Sequence, residues 1–177
     1  MCIRDSYWVA VDSYLPEEAI AESHNAQYRG WEIDGFIKTN EGNEIDYKWI
    51  EEEIRAATDR YSVREMAFDE ISAARVVAQA LNGVVEPCKV PTTFLHMTAP
   101  MREFESGIAS GRVHIEENPC LRWMASNLIA KFRGEQVRPE KEHPANKIDG
   151  MVGIFQAMNR AMSVDEPYQA GEGLREL

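Results

Sequence analysis

An α/β fold with a largely parallel central portion is predicted by three features of the sequence. Short runs with strand-like alternation, such as Val63-Arg64-Glu65-Met66-Ala67-Phe68, are separated by stretches of helical periodicity. Turn signals such as Asn40-Glu41-Gly42-Asn43 and Asn82-Gly83 fall between them. Strands that alternate with helices favour parallel pairing, because a parallel pair needs a crossover long enough to hold a helix. With 177 residues, 44% of them hydrophobic, the chain suits one domain with its own core.

The elements follow in order. Tyr7-Trp8-Val9-Ala10-Val11 is an apolar, strand-like run, and Leu15-Pro16-Glu17-Glu18 starts a helix expected to reach about Tyr28, with proline and acids in its first turn. Ile33 to Ile37 is expected as a short strand. Asp46 caps the next helix, where Trp49, Ile50, Ile54 and Ala57 recur at helical spacing. The strand 63–68 ends at Asp69, and a helix from Ser72 to Leu81 stops at Asn82-Gly83. Val84 to Val90 is a strand that Pro87 confines to an edge or makes irregular. Thr98-Ala99-Pro100 begins a helix that ends near Gly107 to Gly111, and Asn118-Pro119 begins another. Residues 128–137 suggest a hairpin turning at Arg133-Gly134-Glu135. The last helix is expected from Lys147 to about Met162, and the glycine- and acid-containing tail 163–177 is expected to be flexible.

Net charge is −11, which repels polyanions at long range and excludes a protein that binds nucleic acid simply by being basic. Any DNA contact must be local, and basic residues do gather late, at Arg112, Arg122, Lys131, Arg133, Arg138, Lys141 and Lys147. Glutamates are interleaved with them, so a solvated mixed-charge surface fits the same pattern. Cys2, Cys88 and Cys120 show no paired spacing, which indicates neither a disulfide framework nor a zinc site. Cys88 and Cys120 are expected as buried fillers. No apolar run approaches the roughly twenty residues that span a bilayer, so a soluble protein is expected. Met1-Cys2-Ile3-Arg4-Asp5-Ser6 matches one translated frame of the mosaic-end adapter of transposon-based sequencing libraries. It reads as an artefact, with the natural sequence starting at about Tyr7.

Glycine-rich phosphate loops of the G-x-x-x-x-G-K-[ST] and G-x-G-x-x-G types are absent, and His24, His96, His114 and His143 have no ligand spacing. No serine or cysteine stands in a nucleophile elbow. Metal-assisted chemistry at carboxylates remains, and the two best-placed acids are Asp69, at a strand's carboxyl end, and Asp149, at a helix start. Such positions converge on the crevice where open α/β sheets bind ligands. Converging carboxylates suit Mg²⁺ or Mn²⁺. The bland alternative makes Asp69 a turn residue and Asp149 a helix cap.

The segment 118–127, Asn-Pro-Cys-Leu-Arg-Trp-Met-Ala-Ser-Asn, with Pro139-Glu140-Lys141 and Lys147-Ile148-Asp149-Gly150, resembles the end of the nuclease domain in large terminase subunits of tailed bacteriophages. Upstream elements fit in the same order: Leu15-Pro16; Trp31, Gly35 and Gly42; Phe68-Asp69; and the run 98–105, Thr-Ala-Pro-Met-Arg-Glu-Phe-Glu. The resemblance covers about Tyr7 to Met162, which would be a partial nuclease domain. It implies an RNase H-like mixed sheet flanked by helices, truncated at its N-terminus, and two-metal-ion cleavage of concatemeric double-stranded DNA during genome packaging. It further implies Asp69 and Asp149 as the second and third metal-binding acids, Mg²⁺ or Mn²⁺ as cofactor, and basic positions Lys141 and Lys147 near the site, with Arg138 a further phosphate contact. Implied partners are DNA, the portal and the small terminase subunit, in the host cell cytoplasm. Asn118, Trp123 and Asn127 look architectural, with Trp123 in the core. Two departures stand out. The family's first acid and its ATPase domain would lie upstream of this sequence, so the fragment is expected to be inactive alone. The link Ile115-Glu116-Glu117 before Asn118 is longer than the family pattern. A rival reading is a non-catalytic α/β module whose acidic surface docks a capsid or portal component.

Overall fold

The computed structural model describes residues 6–71 and 74–163. Its elements are β1 (Tyr7–Val9), β2 (Ser13–Pro16), α1 (Glu17–Ala21), α2 (Gln27–Ile33), β3 (Ile37–Asn40), α3 (Tyr47–Arg60), β4 (Glu65–Phe68), α4 (Ala74–Ala80), β5 (Glu86–Lys89), α5 (Phe94–Ala109), β6 (Val113–Ile115), α6 (Pro119–Ser126), β7 (Leu128–Arg133), β8 (Gln136–Lys141) and α7 (Asp149–Ser163). The fold is mixed α/β, as the alternation of periods predicts.

Among the described residues the strands form small sheets of two strands each. Three pairs are parallel, β1 with β6, β2 with β3 and β4 with β5, and each is joined through at least one helix. The fourth, β7 with β8, is the expected antiparallel hairpin, which turns at Gly134 with φ +59°. A continuous sheet, expected from the resemblance, is not formed by these strands.

Three local expectations need correction. The helix expected from Pro16 to Tyr28 is two helices. Ser23 Oγ accepts the Asn25 N–H at 3.0 Å and Asn25 Oδ1 accepts the Gln27 N–H at 3.1 Å, so side chains take up backbone donors that a continuous helix would use. The strand expected at Ile33–Ile37 is instead the end of α2, a turn at Gly35 (φ +81°) and the start of β3. The helix expected from Thr98 begins at Phe94, which leaves Pro100 inside it. A proline there removes a helical hydrogen bond and costs about 3 kcal/mol in an exposed helix. The released carbonyl of His96 accepts Asn159 Nδ2 at 2.9 Å, and the ring of Pro100 is fully buried, which offsets that cost. Strand β6 was not anticipated; its three residues extend the pairing of β1, and Glu116 N–H donates to the Val9 carbonyl at 3.0 Å. The predicted start of α4 at Ser72 and the tail beyond Ser163 lie outside the described residues.

One face of α7, Met151, Ile154, Phe155 and Met158, forms the centre of the core with Met97 of α5 and Leu121 of α6. Asn118 caps α6 by accepting the Leu121 N–H at 2.9 Å and donates to the Val11 carbonyl at 2.9 Å, while Asn127 donates to the Lys147 carbonyl at 3.2 Å. Both asparagines therefore tie backbone segments together. Trp123 is half-buried, not interior as expected, and closes an aromatic cluster with Trp31 and Tyr28, each 5.7 Å from it between ring centroids. Cys120 is buried and Cys88 only partly so.

Candidate functional site

Parallel strands β4 and β5 present their carboxyl ends together, held by the Val90 N–H donating to the Phe68 carbonyl at 2.8 Å. Asp69 follows Phe68 at once and is half-buried. Its Oδ1 accepts the Ile71 N–H at 3.1 Å, and its Oδ2 accepts both the backbone N–H of Thr92 at 3.2 Å and its hydroxyl at 3.1 Å. The carboxylate thus ties the end of β4 to the link between β5 and α5. No motif singled out Thr92; two threonines after a proline carry no pattern.

Helix α7 is anchored by three contacts, to β4, to the residue after β5 and to α5. Arg160 makes a two-pronged ion pair with Glu65 at the start of β4, at 2.7 and 3.1 Å. Gln156 donates to the Val90 carbonyl at 2.8 Å, level with Phe68, and Asn159 donates to His96. Running back along the chain, α7 therefore travels from the start of β4 toward its carboxyl end. Asp149 lies seven residues before Gln156, about 10 Å along the helix axis; it is among the residues lining the adjacent cavity, and Asp69 is not. Asp149 is exposed, in the first turn of α7, where the helix dipole favours a carboxylate.

Between these elements lies a cavity of about 950 Å³, lined by Phe68, Lys147 and Asp149 together with β1, β2 and α3. Asp12 also lines it and pairs with Lys38 at 3.6 Å, which in turn meets Glu53 at 3.2 Å. Among the described residues, no three His, Cys, Asp or Glu side chains are grouped so as to hold a metal ion. The basic residues separate. Lys147 lines the cavity and is exposed, whereas Lys141, at the end of the hairpin, donates to the Pro144 carbonyl at 2.8 Å. The guanidiniums of Arg138 and Arg133 lie over the Phe94 ring, 5.1 and 4.4 Å from its centre, two residues beyond Thr92. Sequence reasoning found Arg138 but not this stacking at the start of α5. Burial pushes the Cys120 thiol up, so it is no ready nucleophile. No helix among the described residues is long and apolar enough to cross a membrane.

Residues 5–165 match the family model described as terminase large subunit, endonuclease domain. The chain is 31% identical over 164 residues to Protein YmfN of Escherichia coli (strain K12), covering 90% of this chain and 36% of that protein. It is 25% identical over 154 residues to the large terminase subunit of Enterobacteria phage HK97, covering 84% of this chain and 31% of the relative. The crystal structure of the HK97 bacteriophage large terminase superposes with a TM-score of 0.72 at 21% identity, over 83% of this chain and 32% of that one. The chain thus spans about a third of the length of the relatives it matches. The match over nearly all of its length places it in a definite family: the chain belongs to the endonuclease domains of terminase large subunits.

Proposed function

We propose that this chain is the DNA-cleaving portion of a phage packaging enzyme, in which Asp69 and Asp149 hold Mg²⁺ or Mn²⁺ for hydrolysis of concatemeric double-stranded DNA. The observation that supports this best is the shared end of the molecule. Asp69 follows the carboxyl end of β4, and Asp149 opens α7, whose Gln156 and Arg160 contact Val90 and Glu65; in this reading α7 brings Asp149 toward that same end. Carboxylate oxygens are the donors that hard divalent ions prefer, and Mg²⁺ is commonly held by one or two of them with several waters. In this reading the two carboxylates hold one such ion. A bound divalent ion would supply an activated water and charge neutralisation at the phosphodiester.

The chain's own residues have separate tasks in this reading. Asp69, tied by its hydrogen bonds, offers a fixed carboxylate at the strand end. Asp149 brings a second, exposed one from the helix start. Lys147 beside it, Lys141, and Arg138 at the start of α5 attract and orient the phosphate backbone, which a chain of net charge −11 must do locally.

A two-ion site calls for a further acid, and in this reading it arrives with polypeptide preceding Tyr7 in a longer parent. The cavity supports that. Both β1 and β4 line it. Among the described residues, the backbone of β1 bonds to β6 through Tyr7 and Val9, and that of β4 bonds to β5 through Phe68. A strand of the common length of roughly five or six residues would join the two pairs into one RNase H-like sheet. This chain alone should then cleave DNA poorly. Portal and small-terminase contacts, and action in the host cytoplasm, follow for the parent.

The test is Mn²⁺ calorimetry on the full chain, Asp69→Asn and Asp149→Asn. Saturable binding weakened by each substitution supports the reading. Equal binding by all three proteins overturns it and favours a non-catalytic module that docks a capsid or portal component.

A further inference from the structure

Asp69 is the most heavily constrained carboxylate of the candidate site, and two of the hydrogen bonds it accepts come from one residue. Thr92 donates its backbone N–H at 3.2 Å and its hydroxyl at 3.1 Å to the same oxygen, Oδ2. Ile71 N–H occupies Oδ1 at 3.1 Å. Thr92 lies 23 residues away in sequence, in the short link between β5 and α5, and it is half-buried. An aspartate at a strand end turns freely about two side-chain torsions, and freezing them is part of the cost of binding any ligand. Here that cost is met in folding.

We infer that Thr92 is a positioning residue for metal binding, fixing the plane of the Asp69 carboxylate through its hydroxyl; this rests on the reading of Asp69 as a metal ligand. Each carboxylate oxygen has two lone pairs. A carboxylate held by neutral donors keeps its full charge for an ion and need not reorient to meet it. Partners that orient a ligating carboxylate are worth about 10–100-fold in metal affinity. A threonine serves better than a lysine or arginine here, because it orients the carboxylate without neutralising the charge that attracts the ion. Its donation through both backbone and side chain also links Asp69 to the start of α5, where Arg133 and Arg138 lie over Phe94.

If the contact were only a tether between β4 and α5, losing the hydroxyl would lower stability and leave ion affinity alone. The experiment follows free Mn²⁺ by electron paramagnetic resonance in titrations of the full chain. It compares wild type, Thr92→Val, Thr92→Ser and Asp69→Asn, each first checked for folding by circular dichroism. Thr92→Val keeps the shape and removes only the hydroxyl. The expected result is about tenfold weaker Mn²⁺ binding in Thr92→Val and wild-type affinity in Thr92→Ser. Wild-type affinity in folded Thr92→Val, with binding lost in Asp69→Asn, overturns the inference and leaves the nuclease reading standing. Wild-type affinity in Asp69→Asn overturns both. Should Thr92→Val fail to fold, Thr92→Ala replaces it, and affinity in the folded replacement decides the question by the same criterion.

Discussion

Helices α3 and α7 are of similar length and both amphipathic, yet they are used in opposite ways. α7 has five buried residues, Phe155 among them with only 2% of its surface exposed. α3 buries none, although Asp46 caps it well by accepting the Lys48 N–H at 3.0 Å. Its apolar stripe, Ile50 and Ile54, faces the cavity that α7 borders from the other side through Gly153 and Ile154. An amphipathic pattern therefore tells that a helix has an inner face, and says nothing of what fills the space before that face. In the C-terminal region the space is filled by α5 and α6. In the N-terminal region, among the described residues, a cavity lies before it.

The sharpest way to break this contrast is to truncate one residue on each helix. Phe155→Ala should destabilise the fold by about 3–5 kcal/mol, whereas Ile54→Ala, already half-exposed, should cost less than about 1 kcal/mol. Urea denaturation followed by circular dichroism measures both, and equal costs would mean that α3 is as well packed as α7.

A smaller effect tests how tightly the filled region is built. A methyl group at Gly107 in α5 would stand 2.5 Å from Val113 Cγ2 in β6, closer than any carbon contact allows. Gly107→Ala should cost about 1–3 kcal/mol by overpacking. Combining it with Val113→Ala should recover part of that loss in a double-mutant cycle, and strict additivity would show that the two elements do not press on each other.

Smaller still is the pH dependence of the α7 anchor. The hydrogen bonds from Arg160, aided by its charge and opposed by partial burial, hold the Glu65 carboxyl below its ordinary range. A carboxyl depressed on folding contributes stability that is fully present above its unfolded pKa, about 4.3, and is lost as pH falls through the lower folded value. The pair is partly solvent-exposed, so its contribution should stay under about 1 kcal/mol. Unfolding titrations from pH 7 to pH 3 should show a shallower acid loss in Arg160→Met than in the parent chain. The smallest effect belongs to Trp8, 80% exposed and stacked on His114 with 4.3 Å between ring centres. Trp8→Ala should change stability by about 0.5 kcal/mol or less.

What the sequence made legible follows the same division. The hairpin, α6 and α7 have local signatures: Gly134 at a turn with positive φ, Asn118-Pro119 as cap and first residue, and Met151, Ile154, Phe155 and Met158 at helical spacing. What was missed depends on distant partners. α5 runs through Pro100 because Asn159, on another helix, accepts the task of satisfying the His96 carbonyl. The break between α1 and α2 depends on Ser23 and Asn25 winning a competition for backbone donors that periodicity cannot score. Strand β6 exists because β1 is there to pair with it. In the candidate site, the chain positions of Asp69 and Asp149 were readable from the strand end and the helix start. Thr92, which holds Asp69, and the stacking of Arg133 and Arg138 on Phe94 were not, since each joins segments that only the fold brings together.

The central claim is that Asp69 and Asp149 serve one ion. Fe²⁺ substituted for Mg²⁺ and treated with ascorbate and peroxide cuts polypeptide next to where it is bound, so mass spectrometry of the fragments locates its ligands. Cuts clustered near both residue 69 and residue 149, suppressed together by excess Mg²⁺ and lost together in Asp69→Asn, are the expected result. Cuts near only one of the two, or a pattern unchanged in Asp69→Asn, would show that the carboxylates do not share a site.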